Sequence, residues 1–292
     1  TMKSIDIRGC ATALITPFKN GEVDYEAYTA LVKRQIESGM DFLVPLGTTA
    51  ETPCLEDDEK IEILKITKSL AGDRPVIVGC GTNSLAKTVK TIKLLEPYGP
   101  DGYLVVVPYY NKPTQEGLYQ YFKAVAESTQ KAIVLYNVPS RTGLNMGADI
   151  TLRLAQIPNV VAIKEASGNL EQITEIINNA PEGFNVLSGN DDQAFEIIHR
   201  GGKGLISVAS NVAPCKLATM VQTALNGDFE QAKAMNQELM PLYHACFVES
   251  NPIPVKAGLH AMGLCQNELR LPLTPSSEET YNLMAGIVPN MK

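Results

Sequence analysis

A lysine at the end of an apolar run is the residue of this chain best suited to covalent chemistry. Lys164 follows Val160-Val161-Ala162-Ile163, so we expect its side chain to leave a buried strand into a sheltered site. A free lysine, with a pKa of about 10.4, is a poor nucleophile, but desolvation favours the neutral amine that attacks a carbonyl carbon. The sequence therefore favours Schiff-base formation at Lys164. The alternative is a lysine that extends to solvent or pairs with Glu165.

Polar residues end two other predicted strands. Tyr136 ends the strand before that of Lys164, so a parallel barrel would place its phenol beside the amine, where it could transfer protons. Arg141 lies in the following loop, where a guanidinium can grip a carboxylate through two hydrogen bonds. Thr48 and Thr49 end an earlier strand and could cradle a small carboxylate. Each has a structural alternative, which is core packing for the tyrosine, solvation for the arginine and helix capping for the threonines.

The elements that must position these residues alternate along the chain. Short apolar runs rich in β-branched residues are each followed by a stretch with helical periodicity, which predicts parallel strands buried on both faces. About eight such strands close a barrel, with the active site at their carboxyl ends, and an open doubly wound sheet is the alternative. The predicted strands are 11–15, 42–46, 75–79, 103–107, 132–136, 160–164, 185–188 and 204–208.

Beyond residue 208 the strand signals stop. Helical periodicity continues over 214–226, 228–248, 254–262 and 276–285, which is more helix than the closure of one barrel requires. We therefore predict an α/β fold, a (β/α)8 TIM barrel with a C-terminal helical extension. The catalytic barrel would span 1–225 and the extension 226–292.

Composition narrows the class of partner. A formal net charge of -7 and a pI near 5.1 disfavour nucleic acid, because the overall field repels phosphate. The N-terminus has no apolar signal region and no stretch is suited to spanning a membrane, so we expect a cytoplasmic protein. The six cysteines and three histidines show no ligand spacing, and we predict neither a metal centre nor a cofactor.

Taken together, the strand ends resemble the dihydrodipicolinate synthase family of pyruvate-dependent Schiff-base aldolases and lyases. The similarity runs over nearly the whole chain and is carried by residues 47–49, 108–113, 136–143, 163–166 and 188–191. The resemblance implies a lyase that condenses pyruvate with L-aspartate 4-semialdehyde through a lysine Schiff base. The product would be 4-hydroxy-tetrahydrodipicolinate, an intermediate of lysine and diaminopimelate biosynthesis.

The resemblance also implies roles for individual residues. Lys164 would form the imine, and its enamine would attack the aldehyde. The proton relay would comprise Tyr136, Thr48 and Tyr110, with Tyr110 entering from a neighbouring subunit. Arg141 would hold the carboxylate of the semialdehyde, and the pyruvate pocket would be lined by Thr49, Gly189 and Ile206. A relay shared across an interface implies a dimer, and the usual assembly of the family is a tetramer of paired dimers.

One departure from the family concerns feedback inhibition. Lysine-inhibited members carry a glutamate on the helix after the third strand, which grips the ammonium of the ligand, whereas this chain has Lys87 there. A second position, often histidine in those members, is Asp57. Because Lys87 would repel a lysine ligand, we predict weak or absent inhibition.

Two alternative functions remain open. N-acetylneuraminate lyase and the 2-keto-3-deoxy-sugar-acid aldolases share the imine lysine and the tyrosine but cleave longer substrates. Arg141 favours a short acidic aldehyde over a polyol chain, which needs neutral hydrogen-bonding groups. A barrel that binds a keto acid without catalysis is the third possibility, since fold alone does not fix function.

Overall fold

Eight parallel strands dominate the computed structural model, which describes residues 3–292. A short antiparallel hairpin follows the first strand. The strands are β1 (Gly9–Ala13), β2 (Phe18–Lys19), β3 (Glu22–Val23), β4 (Phe42–Val44), β5 (Ile77–Gly79), β6 (Gly102–Val106), β7 (Ala132–Asn137), β8 (Val160–Glu165), β9 (Asn185–Ser188) and β10 (Gly204–Ser207).

The eight parallel strands close into a barrel. Their order in the sheet is β4-β1-β10-β9-β8-β7-β6-β5, and the two edge strands meet at a parallel bridge between Leu43 and Val76. Nearly every residue of these strands is buried, because one face packs inside the barrel and the other against helices. The predicted (β/α)8 TIM barrel with a C-terminal helical extension is confirmed, and the open doubly wound alternative is excluded.

Helices surround the barrel, and their capping follows from the sequence. Asp24 accepts a hydrogen bond from the backbone N–H of Ala27 (3.0 Å), and Thr114 accepts one from that of Gly117 (3.0 Å). These helices are α1 (Tyr25–Glu37), α2 (Asp57–Ala71), α3 (Leu85–Leu95), α4 (Gln115–Glu127), α5 (Pro139–Thr142), α6 (Ala148–Leu154), α7 (Leu170–Asn179), α8 (Ala194–His199) and α9 (Pro214–Leu225).

Three helices form the C-terminal extension: α10 (Phe229–Ala245), α11 (Ile253–Ala261) and α12 (Glu278–Ile287). The central helix, α11, is buried from Ile253 to Leu259. A helix that is buried on all sides lies between other layers of the protein, and here it carries side chains that reach the barrel. Within residues 3–292, none of the helices combines the length and the apolar character that crossing a bilayer requires.

The structure contains short elements that periodicity did not predict. The hairpin strands β2 and β3 have two residues each, and α5 has four, so none is long enough to show a repeating pattern. The last helix begins at Glu278 rather than at residue 276, because the side chain of Ser277 caps it by accepting from the N–H of Thr280 (3.2 Å).

Candidate active site

Lys164 and Tyr136 face each other across neighbouring strands. They are register partners in the parallel pair β7 and β8, and the Nζ atom of Lys164 lies 4.1 Å from the centre of the Tyr136 ring. Only 6% of Lys164 is exposed. Among residues 3–292 no carboxylate forms an ion pair with this lysine. The amine is therefore sheltered from bulk water and is not engaged by an acid.

Glu165, the alternative partner of Lys164, lies on the other face of β8. Successive side chains of a strand point to opposite faces, and the carboxylate of Glu165 accepts hydrogen bonds from the N–H of Ser167 (2.9 Å) and from Asn137 Nδ2 (3.3 Å). Burial raises the pKa of Glu165, although these hydrogen bonds oppose the shift. Asn137 and Glu165 are also register partners, so this polar pair holds β7 and β8 together directly after Tyr136 and Lys164.

Gly189 allows the strand after β8 to approach the lysine closely. A Cβ atom added at Gly189 would lie 3.0 Å from Lys164 Cγ and 2.8 Å from Ala166 Cβ. Any larger residue would therefore push the lysine side chain from its position. Ile206 is 1% exposed and packs in the cluster inside the barrel that also contains Tyr136.

The threonine segment that follows β4 is a tight turn. The N–H of Glu51 donates to the carbonyl of Thr48 (3.0 Å), and Glu51 itself has a left-handed backbone with φ of 57°. Thr49 is buried and Thr48 is half-buried. Neither threonine caps the next helix, because α2 begins after Glu56, whose N–H donates to Glu59 Oε1 (2.9 Å). The capping alternative for these threonines is therefore wrong.

A buried ion pair anchors this turn to the C-terminal extension. Lys256 Nζ lies 2.6 Å from Glu51 Oε2, and the two side chains are 0% and 1% exposed. The N–H of Arg270 donates to the other carboxylate oxygen of Glu51 (3.0 Å). Burial lowers the pKa of Lys256, and the charge of Glu51 opposes that shift. Sequence reasoning missed these residues, which carry no local signal.

A cavity of about 290 Å³ opens beside the tyrosine. Its lining includes three of the predicted site residues, Thr48, Tyr136 and Arg141. Four others, Lys164, Thr49, Gly189 and Ile206, do not line it. Tyr136 therefore connects the two groups, since it lines the cavity and also packs against the lysine.

Arg141 is exposed and lines this cavity from the short helix α5. Its Nη2 atom donates to the backbone carbonyl of Asn251 (3.2 Å). Among residues 3–292 it forms no ion pair. The guanidinium is therefore held at one point and keeps donors free for an anion.

Tyr110 is separate from the other predicted site residues. Its side chain is 87% exposed, and its backbone is left-handed with φ of 76°. Tyr109 lines the cavity, whereas Tyr110 does not. Within one chain, Tyr110 therefore does not join the predicted site residues around Tyr136.

The thiol of Cys80, close to the cavity, is unsuited to catalysis. Cys80 lines the cavity, but burial raises the pKa of this thiol, which keeps it protonated and weakly nucleophilic. Across residues 3–292 no group of three histidine, cysteine or acidic side chains is arranged to hold a metal ion. The amine of Lys164 and the phenol of Tyr136 are groups suited to Schiff-base chemistry.

A TIM barrel with a sheltered amine beside a phenol at the carboxyl ends of its strands is the arrangement of a lyase that works through lysine. The model of the dihydrodipicolinate synthetase family matches residues 6–290. The chain belongs to this family.

Individual relatives match this chain over nearly its whole length. The 4-hydroxy-tetrahydrodipicolinate synthase of Thermotoga neapolitana is 49% identical over 286 residues, which cover 96% of this chain and 97% of that protein. The crystal structure of dihydrodipicolinate synthase from Thermotoga maritima superposes with a TM-score of 0.96 at 46% identity, covering 98% of this chain and 99% of that one. A structure described as the first monomeric dihydrodipicolinate synthase variant gives a TM-score of 0.96 at 47% identity, covering 98% and 97%.

Proposed function

We propose that this chain condenses pyruvate with L-aspartate 4-semialdehyde through a Schiff base on Lys164. The product is 4-hydroxy-tetrahydrodipicolinate, an intermediate of lysine and diaminopimelate biosynthesis. The observation that carries the proposal is the buried amine of Lys164, 4.1 Å from the ring centre of Tyr136, in a chain of this family. The sugar-acid lyases are less favoured, because Arg141 offers a charged group at the cavity where a polyol would need neutral ones.

The covalent steps assign the central role to Lys164. Its neutral amine attacks the keto carbon of pyruvate, and loss of water gives the imine. Removal of a methyl proton converts the imine into an enamine, whose carbon attacks the aldehyde of the second substrate. The amino group of that substrate then adds to the imine carbon, and the ring closes as the Lys164 amine is released. Burial favours these steps because water is kept away from the imine.

Proton transfer during these steps is assigned to Tyr136, Thr48 and Tyr110. Tyr136 is next to the amine and also lines the cavity, and Thr48 lines the same cavity. Tyr110 is 87% exposed, which fits a residue that completes the site of a second copy of the chain. We propose a homo-oligomer on this basis, assembled as a tetramer of two dimers. A relative described as the first monomeric variant indicates that oligomers are usual among such enzymes.

The carboxylates of the two substrates need separate binding groups. For pyruvate we propose Thr49, Gly189 and Ile206. Gly189 adjoins Lys164, Ile206 packs in the same interior cluster as Tyr136, and Thr49 is buried in the turn after β4. For the semialdehyde we propose Arg141, whose guanidinium has free donors at the cavity. Residues 1–225 would form the catalytic barrel, and 226–292 would form its C-terminal helical extension. The free cysteines at 10, 54, 80, 215, 246 and 265 fit the cytoplasmic location that we propose.

Borohydride trapping tests the covalent step. Reduction in the presence of pyruvate should leave an adduct on Lys164 and none on Lys256, the other buried lysine, which Glu51 holds in an ion pair. Lys164→Arg should abolish the adduct while its circular dichroism spectrum stays that of the wild type. An unmodified wild-type protein would support the binding-only alternative. Comparing turnover of the semialdehyde with that of N-acetylneuraminate distinguishes the synthase from its sister enzymes.

A further inference from the structure

One residue of the C-terminal extension contacts two of the proposed substrate-binding groups. Asn251 lies just before α11 and is 6% exposed. Its Nδ2 atom donates to Thr49 Oγ1 (2.8 Å), and its backbone carbonyl accepts from Arg141 Nη2 (3.2 Å). Under the proposed function these two groups bind the carboxylates of different substrates.

The direction of the first hydrogen bond sets what Thr49 can do. A threonine hydroxyl has one proton and accepts through its lone pairs. Because Asn251 Nδ2 supplies the proton between them, the hydroxyl proton of Thr49 is directed to another acceptor. A carboxylate is an acceptor only. The asparagine therefore prepares Thr49 as a donor to a substrate carboxylate.

The extension holds the threonine turn at a second point as well. Lys256 of α11 pairs with Glu51, two residues after Thr49. The start of α11 thus fixes both the hydroxyl and the end of the turn, which is the preorganisation that precise binding needs. Asn251 Oδ1 is buried and has no hydrogen-bond partner among residues 3–292. Such an orphaned acceptor costs stability, so packing alone does not account for an asparagine here.

We infer that Asn251 is a positioning residue for the condensation. Its side chain orients the Thr49 hydroxyl toward the carboxylate of pyruvate, and its backbone carbonyl holds the guanidinium of Arg141. The inference rests on the proposed function and deepens it, because it gives the C-terminal extension a part in substrate binding.

Asn251→Ala removes the contact with Thr49, which the side chain makes. It keeps the contact with Arg141, which the backbone carbonyl makes. We expect KM for pyruvate to rise about fivefold to tenfold, because the Thr49 hydroxyl remains but is no longer oriented, so its hydrogen bond to the charged ligand is weakened and not removed. The KM for the semialdehyde and kcat should each change by less than about twofold, since the guanidinium keeps its partner. Asn236→Ala is the matched control. Asn236 is also a buried asparagine of the extension (8% exposed), but its side chain accepts from the hydroxyl of Tyr243 (3.0 Å) and, among residues 3–292, forms no hydrogen bond with the turn.

A double-mutant cycle shows whether the effect passes through Thr49. In a Thr49→Val background, Asn251→Ala should raise KM for pyruvate by less than about twofold, because the hydroxyl it orients is gone. An equal rise in both backgrounds would overturn the inference. If Asn251→Ala does not fold, Asn251→Asp tests the same bond, because its carboxylate has the same shape but cannot donate to Thr49 when ionised.

The outcomes separate the two proposals. A wild-type protein that neither forms a reducible pyruvate adduct nor turns over the semialdehyde removes the proposed function. An active wild type whose Asn251→Ala variant has the same pyruvate KM as Asn236→Ala removes only the positioning role.

Discussion

Replacing Lys256 by methionine should strongly destabilise the protein. Methionine keeps much of the length of the lysine side chain but removes its charge. The carboxylate of Glu51 would then remain 1% exposed without its cation. Arg270 cannot replace that cation freely, because both of its Nη atoms donate to Glu59 at 2.7 Å.

The size of the loss follows from this geometry. Removing one partner of a buried ion pair costs about 3–5 kcal/mol, because the remaining charge is desolvated and unpaired. Lys256 Nζ also lies 4.3 Å from the centre of the Phe18 ring, a cation–π contact whose loss adds to the effect. We therefore expect the free energy of unfolding to fall by about 4 kcal/mol, and the Tm by roughly 10 °C.

Urea denaturation followed by circular dichroism is the assay, since the chain contains no tryptophan. Protein concentration must be the same in all samples, because subunit association changes apparent stability. Lys233→Met, at an exposed lysine of α10, is the control and should change stability by less than about 0.5 kcal/mol. The double variant Lys256→Met/Glu51→Gln should recover most of the loss, because it removes both charges and keeps an acceptor for the N–H of Arg270.

A single variant within about 1 kcal/mol of the wild type would refute this reasoning. It would mean that Glu51 reaches water or another cation when Lys256 is absent. A double variant as unstable as the single one would show that side-chain packing, and not the unpaired charge, causes the loss.

Three other predictions follow from the site. Tyr136→Phe should lower kcat by about 10²–10⁴-fold, the usual contribution of one proton-transfer group, while pyruvate still forms a trapped adduct; an unchanged kcat would contradict this role. Burial raises the pKa of Glu165 above 4.5, so its contribution to stability is complete below that pH and is lost as pH rises through the higher folded-state pKa. Glu165→Gln should therefore lose less stability than the wild type between pH 4.5 and neutrality in urea titrations. Because Lys87 is exposed on α3, we expect lysine to inhibit weakly, and half-inhibition by submillimolar lysine in an activity assay would overturn that prediction.

Much of the fold could be predicted because its signals are local. An apolar run such as Val160–Ile163 identifies a buried strand by the chemistry of adjacent residues alone. The eight strands were predicted within two residues at each end, and their number and spacing implied closure. The sequence also predicted that Lys164 and Tyr136 lie side by side, because neighbouring parallel strands of a barrel end at the same height.

The contacts between the C-terminal extension and the threonine turn could not be predicted in this way. Lys256 lies 205 residues from Glu51, and Asn251 lies 202 residues from Thr49. In the sequence, Lys256 is one of many lysines in helices, and nothing local shows that it is buried. The sequence by itself determined the barrel and the position of Lys164 at the end of a buried strand, because residues adjacent in the chain carry the signals for both. Only the tertiary structure decided which distant charges and amides meet, because that choice depends on how the last helices pack against the barrel.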